Sequence, residues 1–149
     1  MKRIISAFLC ASLLILTSCS RDVSAEDVLT EFCREYPISA SVYSSLSTEG
    51  EAGYIDSEMI RLLYGVDEYP TDEFALVLYG KVDTVREIGV FITKDGSERI
   101  VIAELLSRRI SFLSSFSDGD GFIRKYRGVL VYGFVEDASY AEAIFDRIL

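Results

Sequence analysis

The feature that most constrains the fold is a set of three apolar runs of strand length that alternate with helical patterns. The runs cover residues 74–79, 87–93 and 128–135. The third is apolar at successive positions, which is typical of a strand covered on both faces. Because a small sheet cannot cover itself, helices must pack against it. We predict a single α+β domain with a three- to four-stranded antiparallel or mixed sheet.

The first two runs are separated by a short turn, which favours an antiparallel hairpin. In the second run the side chains alternate between two faces. One face carries Glu87, Gly89 and Phe91, and the other carries Ile88, Val90 and Ile92. The third run follows a polar loop predicted over residues 114–121.

Two helices are predicted before the hairpin. The first covers residues 25–36, with Ser24 and Asp27 as a capping box and Pro37 after its end. Residues 38–54 are predicted to be a loop with a short extended piece. A shorter helix begins after Asp56 and ends at Gly65, which suits a left-handed C-terminal position.

Two more helices flank the third run. Asp95 and Glu98 cap a helix that continues to about residue 113, and Ser139 with Glu142 forms a capping box for the last helix. We expect these two helices to share one face of the sheet. The apolar stripe of the longer helix is predicted to contain Val101, Ile102, Leu105, Leu106, Arg109, Ile110 and Leu113.

The N-terminus has the pattern of an exported lipoprotein. Lys2 and Arg3 precede an uncharged apolar stretch at residues 4–16, which is too short to span a bilayer. At the end of this stretch, Leu16-Thr17-Ser18-Cys19 resembles the lipobox of bacterial lipoproteins. We predict a signal peptide at 1–18, cleavage between Ser18 and Cys19, a lipidated Cys19 with a short tether through residue 25, and a domain over 26–149. Ordinary secretory cleavage after a small residue is the alternative.

Two acyl chains on Cys19 would anchor the chain stably at the extracytoplasmic face of the cell membrane.

The chain has 15 basic and 24 acidic residues and a net charge of −9, which disfavours nucleic-acid binding. It has no histidine, which excludes histidine-relay hydrolases and imidazole zinc sites. No cofactor is predicted. Cys33 is expected to be a small buried apolar side chain without a disulfide partner.

Acidic residues provide the only candidates for catalysis or metal binding. Asp67, Glu68, Asp72 and Glu73 lie within seven positions, which suits either a solvated loop or the acid–base pair of an enzyme. The calcium-like sequence at residues 118–121 lacks a third ligand, because Phe122 stands at that position. We therefore predict a turn there and no metal site.

The partner-binding candidates are four aromatic residues and one arginine. If one face of the sheet is free, an aromatic surface is formed by Tyr79, Phe91, Tyr132 and Phe134. Ordinary burial is the interpretation that we favour for them, because apolar strands are usually covered. Arg109, beside Arg108, would provide an anion-binding spot for a partner's carboxylate or a wall phosphate. For the basic clusters at 108–109 and 124–127 as a whole, however, we expect pairing with the chain's own carboxylates, and the anion-binding spot is the alternative.

The stretch from residue 71 to 109, with the closing strand and helix, resembles a family of small lipoproteins of Firmicutes-type bacteria that carry a domain of unknown function. The resemblance depends on Asp72-Glu73, on residues 86–92 and on Arg108-Arg109. A Tyr-x-Pro element of that family is replaced here by residues 117–122. The resemblance implies an envelope location and an α+β fold, and it implies no activity.

These observations predict a non-enzymatic binding or accessory module, with an envelope protein as the candidate partner. A small envelope enzyme that uses the acidic loop carboxylates is one alternative. A single-domain solute-binding lipoprotein is the other.

Overall fold

The computed structural model describes residues 23–68, 70–81 and 84–149 of the 149-residue chain. The predicted signal peptide, the Ser18–Cys19 cleavage site and the lipidation site lie outside the described residues. None of the helices in the described ranges is both long enough and apolar enough to cross a bilayer.

The described residues form four helices and one five-stranded antiparallel sheet with the strand order β1-β2-β3-β5-β4. The prediction of an α+β fold is confirmed, whereas the sheet has five strands rather than three or four. In chain order the elements are α1 Ala25–Glu35, β1 Val42–Ser44, α2 Ser57–Tyr64, β2 Glu73–Tyr79, β3 Arg86–Ile92, α3 Gly96–Ser114, β4 Asp120–Tyr126, β5 Val129–Val135 and α4 Ala138–Ile148.

Three of the predicted N-terminal caps are present. The side chains of Ser24, Asp56 and Asp95 accept hydrogen bonds from backbone N–H groups in the first turns of α1, α2 and α3. Helix α2 ends at Gly65, whose φ of 70° is left-handed as predicted. The prediction for α4 is wrong, because its cap is Asp137 rather than Ser139.

Strands β2 and β3 form the predicted antiparallel hairpin, in which Glu73 pairs with Ile92 and Tyr79 pairs with Arg86. The alternation in β3 is also as predicted. Ile88 and Val90 face one apolar cluster, while Phe91 faces a second cluster on the other side of the sheet.

Each face of the sheet is covered by two helices. Helices α1 and α4 pack on one face and contact each other, while α2 and α3 cover the other face. The prediction that α3 and α4 share a face is therefore wrong. Helix α3 connects β3 to β4 across the position that β5 occupies, and α4 returns over the opposite side.

The sequence pattern does not predict strand β4, because its first residues fall within the polar loop predicted at 114–121. Its side chains are mostly exposed, and only Phe122 is buried.

The short extended piece predicted within residues 38–54 is β1. In the α3 stripe, Val101 is a correction, because it is 68% exposed. Of the residues in the predicted tether, Ser24 is the N-terminal cap of α1 and Ala25 is its first residue.

Candidate functional site: an arginine-lined cleft above a buried glutamate

A charged pair lies inside the layer between the sheet and α3. Glu87 on β3 has no exposed surface, and the Arg109 side chain from α3 is 8% exposed. Arg109 donates from Nη2 to Oε2 of Glu87 at 2.6 Å, and from Nε to Oε2 at 3.1 Å and Oε1 at 3.3 Å. Such a two-pronged contact fixes the orientation of both side chains.

Two tyrosines complete this group, which we call the glutamate cluster: Glu87, Arg109, Tyr64 and Tyr132. The Tyr132 hydroxyl donates a short hydrogen bond to Oε1 of Glu87. The Tyr64 hydroxyl lies 2.7 Å from that of Tyr132 and 3.4 Å from Oε1 of Glu87. Helix α2 is thereby connected to β3 and β5 by polar contacts as well as by apolar packing.

Burial dominates the electrostatics of the glutamate cluster. It raises the pKa of Glu87, and the hydrogen bonds and charge of Arg109 oppose this rise. Burial and the negative charge of Glu87 raise the pKa of Tyr64 well above its ordinary value. The Tyr64 phenol therefore stays protonated and able to donate.

The glutamate cluster lacks the access that catalysis needs. Both carboxylate oxygens of Glu87 already accept hydrogen bonds, and no part of the residue is exposed to solvent. A carboxyl group with a shifted pKa is a candidate catalytic acid or base only if a substrate can reach it. We assign the cluster a structural role, which is to hold Arg109 and Tyr64 in place.

Arg109 and Tyr64 form part of an open cleft of about 250 Å³ between the end of α2 and the second half of α3. We call this the arginine cleft. Its lining residues are Arg61, Leu62, Leu63, Tyr64, Gly65, Leu105, Arg108, Arg109 and Phe112.

Two arginines, Arg61 and Arg108, carry positive charge at the rim of the arginine cleft. Arg61 and Arg108 are exposed, and neither forms an ion pair with any described residue. Glu58 and Asp67 share a small depression with Arg61 but form no ion pair with it. The Arg109 charge is offset by Glu87, so the net positive charge of the rim comes from the other two arginines.

Apolar surface lies beside these charges. Leu62 is 75% exposed and Phe112 is 57% exposed. The guanidinium carbon of Arg109 lies 5.7 Å from the centre of the Phe112 ring, which holds that ring at the edge of the cleft. Guanidinium groups next to exposed leucine and phenylalanine suit a ligand that combines a carboxylate or phosphate with an apolar group.

The structure separates the predicted partner-binding residues. Phe91, Tyr132 and Phe134 have no exposed surface, so burial, the alternative to an aromatic surface, is what the structure shows for these three. Tyr79 is half-buried on the opposite face of the sheet. Only Arg109 belongs to the arginine cleft.

The acidic loop residues do not converge. Asp72 pairs with Lys94, and Oε1 of Glu73 accepts a hydrogen bond of 2.8 Å from the backbone N–H of Ala25. Asp67 and Glu68 are exposed. Within the described ranges, no three His, Cys, Asp or Glu residues are grouped so that they could hold a metal ion.

Two further predictions are confirmed by contacts on the surface and in the core. Arg124 pairs with Asp146, as expected for a basic residue of this acidic chain. Cys33, on α1, is half-buried against the core, and burial raises the pKa of its thiol to about 11. A thiol with so high a pKa carries little thiolate at neutral pH, which is consistent with a packing role.

Sequence reasoning missed Arg61, Leu62 and Phe112. The pair Arg108-Arg109 was visible as a basic cluster, but Arg61 lies far from it along the chain. One sequence feature indicates the cleft: the short amphipathic helix α2 has a large apolar residue, Leu62, on its polar face.

Comparisons of the chain with protein-family models, with curated proteins and with solved structures find no match. The resemblance to small Firmicutes-type lipoproteins therefore stays a prediction. Function has to be inferred from the geometry of the clefts.

Proposed function

We propose that the protein is a lipid-anchored, non-enzymatic binding module at the extracytoplasmic face of the cell membrane. Its arginine cleft binds an acidic segment of an envelope protein. The observation that carries the proposal is a pair of exposed arginines, Arg61 and Arg108, which form no ion pair within the described ranges and lie beside the exposed side chains of Leu62 and Phe112.

The charge distribution favours a selective interaction. The whole chain has a net charge of −9, so an acidic partner is repelled by most of the surface and attracted at the arginine cleft. Arginine can hold a carboxylate through two parallel hydrogen bonds, which adds directional specificity. Leu62 and Phe112 supply apolar contact area next to those charges.

The size of the arginine cleft favours a protein segment over a free solute. Its volume of about 250 Å³ is below the ~300–1,000 Å³ typical of small-molecule pockets. An open site of this size can accept one or two side chains from a larger partner surface. This supports the accessory-module interpretation over the solute-binding alternative.

The position of the cleft suits a protein held by its N-terminus. The backbone N–H of Ala25 is bound by Glu73 at the start of β2, whereas Arg109 is held by Glu87, which pairs with Leu78 near the end of β2. Five residues of strand separate these points, or roughly 17 Å at ~3.4 Å per residue. The start of α1, to which the predicted tether connects, thus lies toward the opposite end of β2 from the contact between Arg109 and Glu87.

The proposal is tested by photo-crosslinking in living cells of the native host. A photoreactive residue is placed at position 112 in the cleft and, as a matched control, at Val101, which is 68% exposed on the same helix about 16 Å away. We expect one recurrent envelope protein to be captured from position 112 and not from 101. We also expect the capture to be lost when Arg61 and Arg108 are both replaced by glutamate.

Equal capture from both positions, or capture that survives the double charge reversal, would overturn the assignment to the arginine cleft. The anchor is tested separately by cell fractionation of Cys19→Ala. Release of this variant from the membrane fraction is expected, and unchanged membrane association would refute lipidation at Cys19.

A further inference from the structure

A second cleft, on the face of the sheet covered by α1 and α4, is built from tyrosines and a carboxylate. It is open and has a volume of about 500 Å³. We call it the tyrosine cup. Its lining residues are Tyr36, Pro37, Ile38, Ser39, Tyr79, Gly80, Glu136 and Tyr140.

The three tyrosines differ in exposure. The Tyr36 ring is 7% exposed and stacks on Phe32 of the core at a ring-centre distance of 5.2 Å. Tyr140 lies further out, 5.7 Å from the Tyr36 ring, and is 47% exposed. Tyr79, on β2, is half-buried. The tyrosine cup therefore has a fixed aromatic base and one largely accessible ring.

Glu136 connects two of the tyrosines. Its Oε2 accepts hydrogen bonds from the hydroxyls of Tyr79 at 3.1 Å and Tyr36 at 3.4 Å. Its Oε1 lies 3.1 Å from Nε of Arg86. The Glu136 side chain is nevertheless 57% exposed, so one carboxylate reaches both the buried arginine and solvent.

Arg86 lies behind the carboxylate rather than in the tyrosine cup. Its side chain is 7% exposed, and one Nη donates to the carbonyl of Val85 and to Oγ of Ser117. Its guanidinium carbon lies 5.6 Å from the centre of the Phe134 ring. The cation is thus directed toward the buried side, and the lining of the cup contains a carboxylate but no arginine or lysine.

The surroundings of the phenols are negative. Burial raises the pKa of Tyr36 and Tyr79, and the charge of Glu136 raises both further. Asp137, which follows Glu136, acts on Tyr36 in the same direction. The phenols therefore stay neutral, and the cup combines electron-rich ring faces with the largely exposed carboxylate of Glu136.

We propose that the tyrosine cup binds an organic ammonium group. Aromatic faces attract cations by ~0.5–2 kcal/mol per contact, and quaternary ammonium groups are recognised in this way. A carboxylate at the edge of the rings adds charge attraction and needs no directional donor from the ligand. This site is separate from the arginine cleft, because it lies on the opposite face of the sheet and is lined by a carboxylate instead of arginines.

The test uses choline and its uncharged isostere 3,3-dimethylbutan-1-ol, which has the same shape without the positive charge. The full-length chain, labelled with ¹⁵N, is titrated with each probe and followed by two-dimensional NMR. We expect saturable shifts of the amides of Ile38, Ser39 and Gly80 with choline. We expect affinity for the neutral isostere to be weaker by about tenfold, the order given by one cation–π contact.

Variants then separate this site from general surface effects. Tyr140→Leu removes the accessible ring, and Glu136→Gln removes the charge. Each is expected to weaken choline binding severalfold. Phe112→Leu, which removes a comparably exposed ring from the arginine cleft, serves as the matched control and is expected to leave choline binding unchanged.

Three results would overturn the proposal, two of them from the titrations and one from the variants. One is the absence of saturable choline shifts at these amides in a chain whose spectrum is well dispersed. The other is equal affinity for choline and the neutral isostere, which would make the cup an ordinary apolar depression. If choline binds but Tyr140→Leu and Phe112→Leu weaken it equally, binding is not at the tyrosine cup and the proposal also fails.

Discussion

Replacing Arg109 with methionine tests the glutamate cluster most directly. The substitution keeps the apolar stem of the side chain and removes the cation that pairs with Glu87, which has no exposed surface. Removing one partner of a buried ion pair leaves an uncompensated charge and typically costs ~3–5 kcal/mol. We expect a loss of about this size in the free energy of unfolding at pH 7.

The double variant Glu87→Gln/Arg109→Met separates charge from packing. Glutamine keeps an oxygen that can accept the hydrogen bond of Tyr132, but it carries no charge. We expect the double variant to be more stable than Arg109→Met alone by about 2 kcal/mol or more, because no charge is left buried.

The pH dependence gives an independent test. Burial already raises the pKa of Glu87, and loss of Arg109 removes the interaction that opposes this rise. The folded Arg109→Met variant then binds a proton that the unfolded chain, with a pKa of about 4.3, does not hold near neutral pH. The free energy of unfolding of Arg109→Met is therefore highest at pH values below the Glu87 pKa of the unfolded chain. It falls as the pH rises from that value through the Glu87 pKa of the folded chain. The total fall is up to ~1.4 kcal/mol for each pH unit between the two pKa values.

Urea unfolding followed by far-ultraviolet circular dichroism at pH 5, 6 and 7 measures these quantities. We expect Arg109→Met to be more stable at pH 5 than at pH 7, relative to the original chain, and the double variant to lack this gain. A loss below ~1 kcal/mol for Arg109→Met at pH 7, with no gain on acidification, would refute the reasoning, since the typical cost is several times larger.

Two other substitution or labelling experiments test the packing. An alanine Cβ at position 89 would lie 2.3 Å from Cε1 of Tyr132 and 2.8 Å from Cδ2 of Leu76. Gly89→Ala is therefore expected to reduce the free energy of unfolding by ~1–3 kcal/mol and to lower the urea midpoint. An unchanged midpoint would contradict this close packing. Because burial raises the thiol pKa of Cys33 to about 11, its reaction with a disulfide reagent at pH 8 is expected to be slower than in the urea-unfolded chain by on the order of a hundredfold. Equal rates in the folded and unfolded chains would show that the thiol is neither buried nor perturbed in its pKa.

The parts of the fold that were predicted correctly are those determined by local sequence. Side chains such as Ser24 and Asp95 cap helices through residues two or three positions away. The β2–β3 hairpin also depends on neighbours in the chain. Caps and turns act within a few residues, so their chemistry can be recognised without tertiary information.

The errors concern features that depend on distant contacts. Strand β4 carries Arg124 and Lys125 and buries only Phe122, so its pattern is that of a polar loop with one apolar residue. It becomes a strand because β5 lies beside it. The separation of α3 and α4 onto opposite faces follows from the insertion of β5 between β3 and β4.

The candidate site was only partly predictable for the same reason. Arg109 was identified as a candidate anion contact, but its pairing with Glu87 depends on the packing of α3 over β3. Arg61 becomes relevant only when α2 packs against α3. The tyrosine cup combines Tyr36, Tyr79 and Tyr140 from three separate elements, and only Tyr79 was a candidate.

The two edges of the sheet restrict how any partner can associate with this domain. At one edge, β1 has only three residues, and the N–H of Ser44 donates to the carbonyl of Gly53 at 2.9 Å, so this edge is already covered by the chain's own backbone. At the other edge, β4 exposes Arg124 and Lys125, which is a common protection against edge-to-edge aggregation. The short β1 edge and the charged β4 edge both disfavour β-augmentation by a peptide, which favours recognition through side chains and helix surfaces.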